Sequence, residues 1–213
     1  MKSLHHLRTL IFCLGVLLML SRAAVADDPP AWLKQAASTT SPSYGKEVKA
    51  VVLHHEQRKN VEEDGRITTT TWYAVRILAR EGREEAIAHA VYNTGSEKVK
   101  EIRAWLLRPA GDFVSYGKKE TADVSLAEND VYDEARVRMI SAKGDADAGC
   151  VFGYETVTEE RSVFSQFLWS FQDNNPTLLS RVTLVMPQGW RAESVTFNRD
   201  KLEPVVNGTT YIW

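Results

Sequence analysis

From Val48 onward the apolar and polar positions alternate with a period of two. Val51, Leu53, His55, Gln57, Lys59 and Val61 interleave with Val52, His54, Glu56, Arg58 and Asn60. Asp64-Gly65 follows, and then Ile67–Leu78 (ITTTTWYAVRIL), in which β-branched and aromatic residues dominate. A period of two sends successive side chains to opposite faces of a strand. Two such runs around Asp-Gly predict a β-hairpin with a type I′ turn, whose residues need positive φ. Ile67, Thr69, Thr71, Tyr73, Val75 and Ile77 then share one face, with Trp72, Arg76 and Leu78 on the other.

The same pattern recurs along the chain. Pro109-Ala110-Gly111-Asp112 predicts a second hairpin between Val99–Leu107 and Phe113–Tyr116. Further strands are expected at Ala135–Ile140, Cys150–Thr158, Ser165–Phe171, Leu178–Met186, Trp190–Phe197 and Thr209–Trp213. They are punctuated by turn signals at Lys143-Gly144-Asp145, Asp173-Asn174-Asn175-Pro176, Pro187-Gln188-Gly189 and Asn207-Gly208. Gly117–Asp133 has no sustained period and reads as a long surface connection. Glu81–Tyr92 (EGREEAIAHAVY) fits a helix or a strand. Many short strands at ~8–12-residue spacing predict an all-β fold, an antiparallel β-sandwich over residues 44–213. Residues 27–43 form a linker whose stretch Ala31–Ala37 has helix-forming composition.

The N-terminus changes the picture of where the chain works. Lys2 and Arg8 make a basic start, Leu10–Leu20 is an unbroken apolar run, and Ala24-Val25-Ala26 is a small-x-small site. This is the pattern of a signal peptide over residues 1–26, cut between Ala26 and Asp27. The run is shorter than the ~20 residues a membrane-crossing helix needs. The expectation is a soluble, exported protein in a bacterial periplasm or the extracellular space. Cys13 is preceded by Leu10-Ile11-Phe12, too bulky for a lipid-anchor signal. Cleavage removes three basic residues, leaving 23 basic against 28 acidic, a net charge of −5 with the signs interspersed. That balance argues against nucleic acid and against an anionic membrane surface as partners. Cys150 is then the single cysteine, so no intrachain disulfide can form.

Several side chains could carry chemistry, and each has a plainer reading. A nucleophilic cysteine sits where a helix N-terminus lowers its pKa. Cys150 instead opens an alternating strand, the setting of a packed thiol. His54 and His55 are adjacent in a strand and point to opposite faces, so they cannot chelate one zinc ion together, and His89 lies in the ambiguous segment. Asp145 and Asp147, with Glu128, Asp130, Asp133 and Glu134, could attract calcium, but a loop starting at Asp145 has Thr156 where the bidentate glutamate belongs. Trp105, Trp169 and Trp190 could stack sugars, yet they lie in strand patterns where core packing is the default. Asn207-Gly208-Thr209 is a glycosylation sequon only in a eukaryotic secretory pathway. No catalytic, cofactor or metal residue is assigned.

The order of landmarks carries a resemblance. Asp64-Gly65-Arg66 opens the first hairpin, Tyr132–Arg136 reads Y-x-D/E-x-R, and Gly149–Glu155 reads G-x-V-x-x-Y-E. In this order the segments resemble domain of unknown function 3857, the domain at the N-terminus of many bacterial secreted transglutaminase-like proteins, over about residues 45 to 213. The resemblance implies a β-sandwich without an activity of its own. The papain-like triad of the domain that follows it in such proteins is carried over to no residue here. The expected function is a non-catalytic interaction or accessory module for a protein or cell-envelope polymer. The alternative is the N-terminal part of a thiol hydrolase or acyltransferase.

Overall fold

The computed structural model describes residues 28–126, 134–161 and 166–213. The signal sequence with its Ala26–Asp27 cleavage site, the carboxylates Glu128, Asp130 and Asp133, Tyr132 of the second motif and Ser165 lie outside the described residues. One helix, α1 (Ala31–Ser38), precedes β1 (Ala50–Val61), β2 (Arg66–Ile77), β3 (Ile87–Asn93), β4 (Glu97–Leu107) and β5 (Phe113–Tyr116). Then come β6 (Thr121–Ser125), β7 (Ala135–Ser141), β8 (Val151–Arg161), β9 (Ser180–Val185), β10 (Val205–Asn207) and β11 (Thr210–Ile212). A large sheet has the order β10-β11-β9-β1-β2-β8-β4-β5, and a small one β3-β7-β6.

The fold is all-β, as the spacing of strand signals predicts, with two sheets and one short α-helix among the described residues. The chain leaves the large sheet after β2 through a 3₁₀ turn, Arg80–Glu85, and returns along the β3–β4 hairpin. That turn and β3 resolve the ambiguous segment 81–92. Val75, Ile77, Ala104, Leu106, Phe152 and Tyr154 of the large sheet pack on Ala88, Ala90, Tyr92 and Ile140 of the small one. The alanines of β3 keep that contact thin. On the opposite face of the large sheet, Leu33 and Ala36 of α1 close over Val51, Leu53, Ala74, Trp105 and Val151. Arg76 ties down the end of α1 by donating to the carbonyls of Ala37 (2.6 Å) and Thr39 (3.1 Å), a cation where the helix dipole is negative.

Several expectations are corrected. The sheet is not wholly antiparallel: β9 runs parallel to β1, with His55 opposite Ser180 and Asn60 opposite Val185. β9 takes the edge of β1 opposite β2 and runs in the same direction as β1. The first hairpin does not turn through type I′. Glu62 N–H donates to the Arg66 carbonyl, Gly65 N–H to the Glu62 carbonyl, and φ is positive at Gly65 (+79°) but not at Asp64. This is a three-residue loop ending in a bulged glycine. Arg108–Asp112 repeats it, with Gly111 at φ +92°. Thr121–Ser125, read as loop, is the exposed edge strand β6.

The expected strands over Ser165–Phe171 and Trp190–Phe197 do not form among the described residues. A strand needs a free edge to pair with, and the edges of β1 and β9 are taken. β9 and a bridge between Val52 and Thr177 fill the edge of β1, while β11 fills that of β9.

Candidate functional site

The alternation in β1 is broken once, beside a cleft. The register with β2 shifts between Val52 and His54, leaving Leu53 as a bulge. Val51 and Leu53 therefore lie on the helix side with Ala74, whereas His55 pairs with Tyr73 on the other face. The six residues from Val51 to Val61 expected on one face are thus split between two.

On that face a row of rings crosses three strands. His55 meets Tyr73 edge-on at 5.5 Å between centroids, and Tyr73 stacks on Tyr154 of β8 at 5.3 Å. His89 of β3 reaches Tyr154 from the small sheet at 6.1 Å. On the other side Trp169 comes within 4.4 Å of His55, and Phe171 stands edge-on to Trp169. The indole N–H of Trp169 donates to the Ser180 hydroxyl at 3.2 Å, which holds this irregular segment over β1. Between segment and sheet lies a cavity of about 130 Å³, lined by His55, Tyr73 and Phe171, the carboxylate residues Glu85 and Asp173, and Asn175 among others.

The electrostatics follow from burial. Burial, and then the neighbouring His54, lowers the pKa of His55, against an opposing pull from Asp173. Burial raises the Tyr73 hydroxyl far above its ordinary range, and Tyr154, Glu85 and Asp173 add to the effect. Further along the same face, burial lowers the pKa of Lys59, although Glu160 and Glu97 pull it up. Its ammonium donates to the Thr69 hydroxyl at 3.1 Å and lies 4.7 Å from the centre of the Phe167 ring.

The residues singled out in the sequence are scattered. Cys150 is 4 % exposed, in the core between the sheets, with its carbonyl accepting from Ile77 N–H. His54 and His55 do face opposite ways. His54 leans on Trp32 and pairs with Glu56 at 3.3 Å. Asp145 accepts from the Tyr116 hydroxyl at 2.7 Å. Trp105 is buried under α1. Trp169 and Trp190 do not lie in strands, and Trp190 is exposed. Tyr73, Phe171, Glu85 and Asp173 were not candidates from sequence. Their common signal, a His–Tyr pair in register, depends on the three-residue loop after β1, where the residue pattern predicts a two-residue turn.

A second feature lies at the β9–β11 end of the large sheet. Val61, Ile67, Leu184 and Met186 form a small core there, covered by Phe167, Ala192, Tyr211 and Trp213. The segments around it turn other apolar side chains outward: Leu168 (83 % exposed), Val195 (77 %), Phe197 (72 %) and Val205 (69 %). Arg199, Asp200, Lys201 and Glu203 are exposed beside them, and β10 is the edge strand.

Comparison with known proteins gives a family and a fold. The model of DUF3857, a domain of unknown function with solved structures, matches residues 63–213. No curated protein matches the chain. Among solved structures, the chain is similar to the crystal structure of a putative protease from Parabacteroides distasonis ATCC 8503, with a TM-score of 0.60 at 12 % identity. That match covers 77 % of this chain and 34 % of the other, so the chain spans about a third of that protein's length. At such identity the likeness is one of fold.

Proposed function

The chain belongs to the DUF3857 family of domains of unknown function, and from that premise we propose that it is an exported, non-catalytic interaction module that docks on a partner protein through the β9–β11 end of its large sheet. The observation that carries this reading is the outward-facing set Leu168, Val195, Phe197 and Val205 beside an edge strand. Single exposed apolar residues are ordinary on a protein surface, but several at one end of one sheet favour an interface. The charged side chains of 199–203 give that patch the polar rim of a recognition surface. Placing Cys150 in the core favours packing over nucleophilic chemistry. Export rests on the basic, apolar and small-residue pattern of residues 1–26.

Photo-crosslinking tests it. A photoreactive phenylalanine analogue at Phe197 of the protein expressed in its native host should give a discrete protein adduct. The analogue at Val91, 57 % exposed on the small sheet, should not. The adduct should disappear when Val195→Asp and Val205→Asp are added. Equal adducts at both positions, or none at Phe197, would overturn the reading. Mass spectrometry of the same material should find Asp27 as the first residue.

The similarity to part of a larger putative protease favours a second reading, in which the domain is the N-terminal part of a thiol hydrolase of the transglutaminase-like kind. A coding frame running past Trp213 into a cysteine at a helix start, a histidine and an aspartate would select it.

A further inference from the structure

We propose that the cleft between His55, Tyr73 and Phe171 is a binding site for an alkylammonium group, the cationic end of a lysine side chain or of a free polyamine. Three features of the cavity converge on that chemistry. One part of its wall is aromatic: His55, Tyr73 and Phe171 line it directly, with Trp169 packed against both His55 and Phe171. Ring faces attract ammonium ions, and most strongly where water is excluded. Its charge is negative: Glu85, at the end of the 3₁₀ turn, and Asp173, from the loop before β9, reach it from separate segments. Among the described residues that line it, none is lysine or arginine. Its size is small: about 130 Å³ is some four water volumes at ~30 Å³ each. An ammonium with two or three methylenes fits that space.

The histidine does not spoil the site. With its pKa lowered by burial, the His55 imidazole is neutral at pH 7 and offers the cation a ring, not a competing charge. Asn175 and Thr177 add polar groups to the lining, suited to the hydrogens of an ammonium. A bare metal ion is a poorer occupant, because no three His, Cys, Asp or Glu side chains among the described residues come together to hold one. The site stands apart from the docking reading, which uses the outward faces of other residues.

Titration of the full exported chain with n-butylammonium, followed by NMR of the His55 and Tyr73 ring signals, tests the proposal. Saturable shifts are expected at millimolar concentration or below, and none with n-butanol, which has the same shape without the charge. Combining Asp173→Asn with Glu85→Gln should weaken binding at least tenfold. Phe171→Leu, which keeps bulk but removes the ring, should weaken it several-fold. Both variants are first checked for an unchanged unfolding midpoint. Equal response to butanol, or undiminished binding by the Asp173/Glu85 double variant, would overturn the proposal. Tighter binding of N-acetyl-lysine methylamide than of cadaverine assigns the site to a polypeptide lysine, and the reverse assigns it to a free polyamine. No response to either would refute it.

Discussion

The imidazole of His55 lies 4.4 Å, centroid to centroid, from the indole of Trp169. This contact binds an irregular segment to β1, and it makes the segment's packing sensitive to pH. Burial holds the folded pKa of His55 below its ordinary 6.5, so the unfolded chain binds the proton more readily than the native one. Stability from this residue is full above pH ~6.5 and is lost as pH falls from there through the lower folded pKa. The slope for one proton cannot exceed ~1.4 kcal/mol per pH unit. Glu56 has its own pKa lowered, through hydrogen bonding with His54 against the cost of burial, and so adds its loss below pH 4.5. Urea unfolding between pH 7.5 and 5 should show stability declining with acidification, and His55→Phe should flatten that decline. An unchanged slope in the variant would remove His55 as the cause.

Leu33 presses on the sheet where Gly153 lacks a side chain. A Cβ at Gly153 would overlap the Leu33 methyls, so the glycine sets how closely α1 approaches. Gly153→Ala should destabilise the protein by ~1–3 kcal/mol through overpacking, and Leu33→Ala by ~2–5 kcal/mol through the cavity it leaves. Because both act on one contact, the double variant should cost less than the sum of the two. Strict additivity in denaturant unfolding would show that the helix does not rest there.

Asp123 organises the β6 edge of the small sheet's inward face. Its carboxylate accepts from the Tyr92 hydroxyl at 2.9 Å and from Arg138 at 2.6 Å, with Arg136 at 3.4 Å. Burial alone would raise its pKa, but the bonds from Arg138, Tyr92 and Arg136 together lower it. Asp123→Ala should cost ~1–2 kcal/mol, and hydrogen exchange should quicken first in β6 and β7. Uniform quickening over the whole protein would contradict a local role.

The long central strands are legible in the sequence because they obey the period of two with one face buried. β1, β2, β4 and β8 fall within a few residues of their patterns. β6 escapes because four of its five residues are exposed, so it has no apolar face to read. The runs over 166–171 and 190–197 alternate as strands do but pair with no edge, those of β1 and β9 being taken by β9 and β11, and sequence does not show which edges are taken. The cleft is hidden for a related reason. His55 and Tyr73 sit 18 positions apart, and the three-residue loop of the hairpin, in place of the expected two-residue turn, sets them opposite each other.

The central claim is that the β9–β11 end is covered by a protein partner where the chain works. The most direct measurement is maleimide labelling of the thiol in Phe197→Cys, made in a Cys150→Ser background, in the purified protein and in intact cells of the native host. Fast labelling of the purified protein and at least tenfold slower labelling in cells, reversed by adding Val195→Asp and Val205→Asp, is the predicted result. Equal labelling in both settings, with a thiol at Val91→Cys serving as the reagent-access control, would contradict it.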